Sequence, residues 1–312
     1  TVQDIRDHLP HSPAKVGPLS DLDRVRFGQT LAGAIARGAP AAVAAVAALL
    51  WWLLVASEGV YLGRRVVIWL YDVFAPHYDG VKKVVPEYEQ FFLARPIMEA
   101  IQPRRDPLVL DVATGTGRLP IALARLPAFE GQIVGIDLSR KMLREAARAT
   151  TPFSEWITLI HAPAETLPFP DGSFDVVTCL EALEFTRDPD AILAEMARVL
   201  RPGGLLLTTL RIHTPWMPGK TWSEGEMLSK LRKHGIEDGQ VQVWQVDYRK
   251  VWGRKAGDSV WIGAGSAERV LMCPQCGRIE WTRTEKQWLC GACGVSLGVG
   301  RDGVVEWVEG RR

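Results

Sequence analysis

The stretch Leu108-Val109-Leu110-Asp111-Val112-Ala113-Thr114-Gly115-Thr116-Gly117 decides the fold. It opens with a short apolar run, and its two glycines precede the helix-spaced residues Leu119 to Leu126. The order reads as strand, glycine turn, helix. Glycines at such a turn let the backbone come close to a ligand, and the helix start beyond presents unpaired N–H groups. A second apolar run, Gln132-Ile133-Val134-Gly135-Ile136, ends in Asp137. An acid about 20 residues past the glycines, at the end of the next strand, can accept both hydroxyls of a ribose.

The alternation continues outward. Trp156 to Ile160 reads as a strand, Phe174 to Cys179 as a buried strand, Asp188 to Leu200 as a helix, and Leu205 to Arg211 as a strand after Arg201-Pro202-Gly203-Gly204. Ser223 to His234 reads as a helix ending near Gly235. From Gln240 to Lys255 the residues could form a basic aromatic patch for nucleic acid, but their alternation favours closing strands. These elements predict an α/β fold, a parallel sheet with crossover helices that binds ligands at the carboxyl ends of its strands. Asp111, Gly115, Asp137, Cys179 and Arg211 should then share one rim.

Four blocks in order carry a resemblance: V-L-D-V-A-T-G-T-G-R at 109–118, G-I-D-L-S-R-K-M-L at 135–143, A-E-T-L-P-F-P-D-G-S-F-D-V-V at 164–177 and R-V-L-R-P-G-G at 198–204. They resemble class I S-adenosylmethionine-dependent methyltransferases, and Y-D-V-F-A-P-H-Y-D at 71–79 is similar to the entry segment of the ubiquinone and menaquinone biosynthesis group. The resemblance implies a Rossmann-like seven-stranded sheet and S-adenosylmethionine as cofactor. It would place Asp111, Ala113, Gly115 and Gly117 around the methionine end, Asp137 on the ribose, Leu138 and Met142 against the adenine, and Tyr78 over the site. Where that family usually carries an aspartate for the adenine amino group this chain has Pro163, which lacks both a side-chain acceptor and an N–H, leaving the Ala164 amide for the task. The D-x-A-x-G-x-G spacing disfavours a dinucleotide-dependent dehydrogenase.

Methyl transfer from a sulfonium asks mainly for alignment and, for some acceptors, removal of a proton. Glu181 and Glu184 after the fourth strand and His213 after the fifth are the candidate catalytic residues, each with a solvated or structural role as the rival reading. His161 reads as structural, and Cys179 as a buried small hydrophobe with no feature nearby to activate a thiolate.

The chain has 312 residues, 47% hydrophobic and 23% charged, with a formal charge of +1. That composition excludes a largely disordered chain and gives no sign of a polyanion-binding surface. One run stands apart: Ala39 to Ala56 has no charge and no polar side chain. A helix of that length reaches about 27 Å, close to the thickness of a bilayer core. The reading is a single-pass transmembrane helix at 38–57, with a buried helix as the rival; a cleavable signal peptide fits poorly because bulky Tyr61 and Leu62 follow. Ser20 to Arg37 reads as a helix lying along the membrane. Val66 to Phe74, with Arg64 and Arg65 in front, suits the headgroup zone or ordinary packing. Basic residues flank both ends of the run, so charge does not set orientation.

Near the C-terminus, Cys273-Pro-Gln-Cys276-Gly and Cys290-Gly-Ala-Cys293-Gly form two knuckles that can supply four thiolates to a tetrahedral zinc ion. With every position sulfur the metal is structural, stabilising a segment too small to keep a core unaided. This segment is similar to the small zinc-ribbon proteins that activate some RNA and protein methyltransferases, which implies a ribbon supporting its catalytic partner in cis. Its slight basic excess favours protein over nucleic acid as a contact.

The sequence thus reads as a juxtamembrane segment at 1–37, a membrane helix at 38–57, a methyltransferase domain at 58–256, a linker at 257–268 and a zinc ribbon at 269–312. The function expected is methylation of a lipid-phase molecule such as a quinone precursor, phospholipid or isoprenoid, at the inner membrane, with the catalytic and zinc domains on the cytoplasmic side where the cofactor and reduced thiols are found. Two rivals stand beside it: a non-catalytic assembly subunit that docks a membrane protein complex through the ribbon, and an RNA or protein methyltransferase.

Overall fold

The computed structural model describes residues 42–82, 85–212, 217 and 221–307. The expected surface helix Ser20 to Arg37, the first residues of the apolar run, and His213 lie outside them. One compact unit ends at Trp52 and the other is Leu53–Arg312.

Strands β1 (Leu108–Val112) and β4 (Phe174–Cys179) are buried along their whole length, as their unbroken apolar runs require of central parallel strands. β1 pairs in parallel with β4 on one side and β2 (Gln132–Asp137) on the other, which sets Asp111 beside Thr178 and Gly135. β3 (Ile157–His161) lies parallel to β2 and β5 (Leu200–Arg211) parallel to β4. β7 (Tyr248–Lys255) runs antiparallel to β5, and β6 (Ile236–Val243) antiparallel to β7. The connecting helices are set by local chemistry. Ser139 caps Arg140–Thr150 by accepting from the Met142 N–H, Asp188 caps Pro189–Val199, and Ser223 with Glu226 forms a capping box on Glu224–Lys233.

The seven-stranded sheet expected from the resemblance is enlarged. Among the described residues the sheet has 11 strands in the order β6-β7-β5-β4-β1-β2-β3-β11-β10-β9-β8. β8 (Trp281–Arg283), β9 (Gln287–Cys290), β10 (Ser296–Val299) and β11 (Val305–Glu306) all come from the cysteine-rich segment. β11 docks in parallel on β3, pairing Val305 with Ile160 and Glu306 with His161. The reason is the β3 edge, whose backbone groups need partners that β11 supplies. Trp288, Leu297, Val305 and Trp307 join the same apolar core as Leu110, Val134 and Ile160. The connection expected as a linker is also anchored: the fully buried Asp175 accepts from the N–H groups of Leu108, Ile262 and Gly263 and from Arg201.

The transmembrane helix expected at 38–57 begins outside the described residues. Among the described residues no helix is long and apolar enough to cross a membrane. The apolar run is α-helical over 42–51 and continues as a π-helix over Trp52–Ala56. It then stops in a turn where Glu58 and Gly59 take positive φ of 49° and 73°.

Candidate functional site

The carboxyl ends of β1, β2 and β4 open into a cleft of 150 Å³. Asp137, at the end of β2, is its fixed point. One carboxylate oxygen accepts the Gly115 N–H at 2.8 Å and the other the Ser139 N–H at 2.8 Å. Burial raises its pKa, and these two donors pull it back without cancelling the rise. Gly115 needs its freedom, at φ 57°, and Ala113 shares that left-handed backbone at φ 55° without being glycine, a strain concentrated at the turn. Leu138, Met142 and Ala164 line the same cleft, as do Ala113, Gly115 and Tyr78.

Two residues expected around the methionine end, Asp111 and Gly117, are not among those that line the cleft. Asp111 is buried beneath the turn, accepting from Thr114 Oγ1 at 2.7 Å and Thr178 Oγ1 at 2.6 Å, so it locks β1 to β4 and to the turn. Burial pushes its pKa up to about 6 against the pull of these two hydroxyls. Gly117, at φ 82°, starts the Arg118–Ala124 helix, and a Cβ there would come within 3.2 Å of Thr150.

A strap over residues 64–82 closes the cleft from above. Arg64 pairs with Glu165 at 3.2 Å, Asp72 accepts from the Ser139 hydroxyl at 2.6 Å, and Asp79 accepts from Thr116 Oγ1 at 2.6 Å. Lys82 reaches Glu181 at 3.3 Å. Sequence reasoning named Tyr78 from this strap and missed the four residues that pin it. Tyr78 itself is half-buried, and desolvation raises its pKa well above the usual phenol value, with Glu181 adding to the rise.

Of the three candidate catalytic residues, Glu181 lines the cleft. It has φ 51° and accepts from Arg118 at 3.2 Å as well as from Lys82 and Gln245. Arg118 in turn holds Glu89 at 2.9 Å, and burial raises the pKa of that glutamate despite the pairing. Glu184 is buried away from the cleft wall and accepts from the Tyr248 hydroxyl; burial pushes its pKa up. Cys179 is buried, and burial holds its thiol well above the ordinary value.

The four cysteines Cys273, Cys276, Cys290 and Cys293 converge, with their sulfurs within 4.8 Å of one another. Cys273 and Cys293 are 3.6 Å apart and Cys276 and Cys290 3.7 Å, and all four are free thiols. A tetrahedron with Zn–S of about 2.3 Å has edges of about 3.8 Å, so this donor set fits zinc.

The cysteine-rich segment also reaches the cleft wall, indirectly, through polar contacts. Arg140 makes two 2.8 Å bonds to Asp302 and a further one to Glu306. His161 Nδ1 lies 2.8 Å from Glu306, and its Nε2 3.1 Å from the carbonyl of Leu138. Both partners are acceptors, so both ring nitrogens donate and the imidazolium is favoured.

Residues 110–208 match the family model for a methyltransferase domain. The demethylmenaquinone methyltransferase of Bacillus licheniformis is 36% identical over 135 residues, 43% of this chain and 58% of that protein. The Staphylococcus aureus enzyme of the same name is 35% identical over 141 residues, 45% of this chain and 58% of that protein. The chain spans less than two thirds of the length of these relatives. Among solved structures, a SAM dependent methyltransferase from Aquifex aeolicus overlaps 55% of this chain and 94% of its own, with 22% identity and a TM-score of 0.46. A Haloferax volcanii methyltransferase solved in complex with its activator overlaps 60% of this chain and 98% of its own, with 22% identity and a TM-score of 0.48. The sheet order and the matched family together give residues 110–208 the class I methyltransferase fold.

Proposed function

We propose that this chain transfers a methyl group from S-adenosylmethionine to a lipid-phase acceptor, with a quinone precursor as the leading class. The observation that carries the reading is Asp137, a strand-end carboxylate on the cleft wall whose orientation is fixed by the Gly115 and Ser139 amides. In that position it would hold the ribose hydroxyls, with Leu138 and Met142 against the adenine and Ala113 and Gly115 toward the methionine end. The bound cofactor supplies an electrophilic methyl group on its sulfonium. Tyr78 and the pinned strap exclude water from that end of the cleft, and Glu181 is the residue placed to take a proton from an acidic hydroxyl or ring carbon of the acceptor.

The names of the relatives support a quinone-type acceptor. The apolar run through Ala56 supports a site held against the bilayer, which raises the local concentration of a membrane-dissolved acceptor without tighter binding. The ribbon is read as a structural zinc module acting in cis on the cofactor cleft. Calorimetric titration with S-adenosylmethionine tests the core of the reading. Micromolar binding lost in Asp137→Ala supports it, and absence of binding by the native chain favours a non-catalytic scaffold. Methyl incorporation into lipid extract rather than into RNA or protein then tests the acceptor class.

A further inference from the structure

Beside the cofactor cleft lies a second cavity. Leu54 and Val55 on one side, and Leu70 and Phe74 of the Arg64–Phe74 helix on the other, enclose a crevice of 270 Å³. The two walls meet at Gly59, where a Cβ would come within 2.7 Å of Leu70 and 3.1 Å of Val66, so glycine sets their spacing. Val55 is 58% exposed and Phe74 50%, which leaves the mouth apolar as well as the interior. Contiguous apolar surface left open is one mark of a ligand-binding groove.

The rings of Tyr71 and Tyr78 line this crevice and also the cofactor cleft. Their centroids are 6.0 Å apart, so the partition between the cavities is one pair of side chains. Polar groups stand at that partition: Tyr71 donates to Glu58 at 3.0 Å, and Lys82, a lining residue of the crevice, reaches across to Glu181 of the cleft. In sequence, Leu54 and Val55 continue directly from the uncharged run that starts at Ala39.

We infer that the crevice holds the hydrocarbon chain of the methyl acceptor, with the polar head turned past Tyr78 toward Glu181. The acceptor class is then an amphiphile with one long alkyl or isoprenoid chain. This rests on the methyltransferase reading proposed above, and it assigns a binding role to residues 54–74.

The test titrates the full chain with 4-n-alkylphenols from ethyl to octyl, below their aggregation concentrations. Affinity rises by roughly threefold to fourfold per added methylene in the native chain. Val55→Trp, which fills the crevice, flattens that series, and so does Phe74→Asp at its mouth. A series that is flat in the native chain, or equally steep in both variants, overturns the inference. S-adenosylmethionine titration of the same samples reports folding and scores the enzymatic reading separately. Variants that keep native cofactor affinity while losing the chain-length dependence support both, whereas a chain-length dependence lost in the variants of a protein that never binds the cofactor keeps the crevice and ends the methyl-donor reading.

Discussion

Glu306 Oε2 of β11 and His161 Nδ1 of β3 lie 2.8 Å apart, and the other nitrogen of that imidazole holds the carbonyl of Leu138 on the cofactor cleft. One side chain therefore links the cysteine-rich segment to the expected adenine wall.

The link depends on pH. Burial opposes both charges, but pairing with Glu306 raises the pKa of His161 above its ordinary value, and pairing with His161 and Arg140 holds Glu306 below its own. The histidine contribution is complete below about pH 6.5 and is lost as pH rises through the raised native value; the glutamate contribution is complete above about pH 4.3 and is lost as pH falls. Glu306→Gln should therefore lower the melting temperature most between those values and less at pH 9. A gap of constant size from pH 5 to 9 would remove the imidazolium from this account.

Removing the metal should reach the cofactor cleft. Chelation is expected to lower the melting temperature and to weaken S-adenosylmethionine binding by at least about fivefold, through Arg140, His161 and Leu138. Metal analysis should return one zinc per chain, and Cys290→Ser should reproduce the effect of the chelator. Unchanged cofactor affinity in the metal-free protein would show that the contacts to Asp302 and Glu306 carry no coupling.

Asp137→Ala should weaken cofactor binding by about 100-fold, the loss of charge-assisted hydrogen bonds worth roughly 3 kcal/mol. Asp137→Asn keeps an acceptor for one of the two amides and should fall between. Calorimetry reads both, and an alanine variant within fivefold of native would take the ribose away from this carboxylate.

Asp111 behaves in the opposite sense to a salt-bridged acid. Burial lifts its native pKa to about 6 from an ordinary 3.8, so the folded state holds the proton more tightly and loses stability as pH rises through that interval. Asp111→Asn has no such loss. Its stability relative to the native chain should improve by about 2–3 kcal/mol between pH 4 and pH 7, read by denaturant melts at each pH.

Glu181→Gln should cut the methylation rate on a quinol or phenol acceptor by about 100-fold while leaving cofactor affinity near native. The neutral amide keeps the hydrogen bonds to Arg118 and Lys82 within reach but accepts no proton. A rate within twofold of native would leave Glu181 as an anchor for those cations alone.

The sequence showed most clearly what depends on neighbours in the chain. β1, β2 and β4 announce themselves by apolar runs, the glycine turn by its spacing, and the helix Pro189–Val199 by Asp188 in front of it. Arg201-Pro202-Gly203-Gly204 read as a connection, but it lies within β5, where the register with β4 shifts between Phe174 and Val176. Such an irregularity is visible only once the strands are paired. Asp111 was placed on the rim by the strand-end rule and beside the cofactor by resemblance, and its burial under the turn follows from its register opposite Thr178, which lies in another strand. The polar contacts of the strap and of the ribbon join residues far apart in the chain: Thr116 to Asp79, Arg140 to Asp302, His161 to Glu306. No local pattern marks such partners. The apolar run was plain, but nothing in its composition marked the turn at Glu58 and Gly59.

The parallel seating of β11 on β3 has a consequence for solubility. A β3 strand stripped of that neighbour would present a row of unsatisfied N–H and C=O groups in the middle of a large apolar layer, an adhesive seam on which a second molecule could build. If the four cysteines hold a metal, the first visible defect of a chain that never acquires it would then be clumping of newly made protein, ahead of any slowing of turnover.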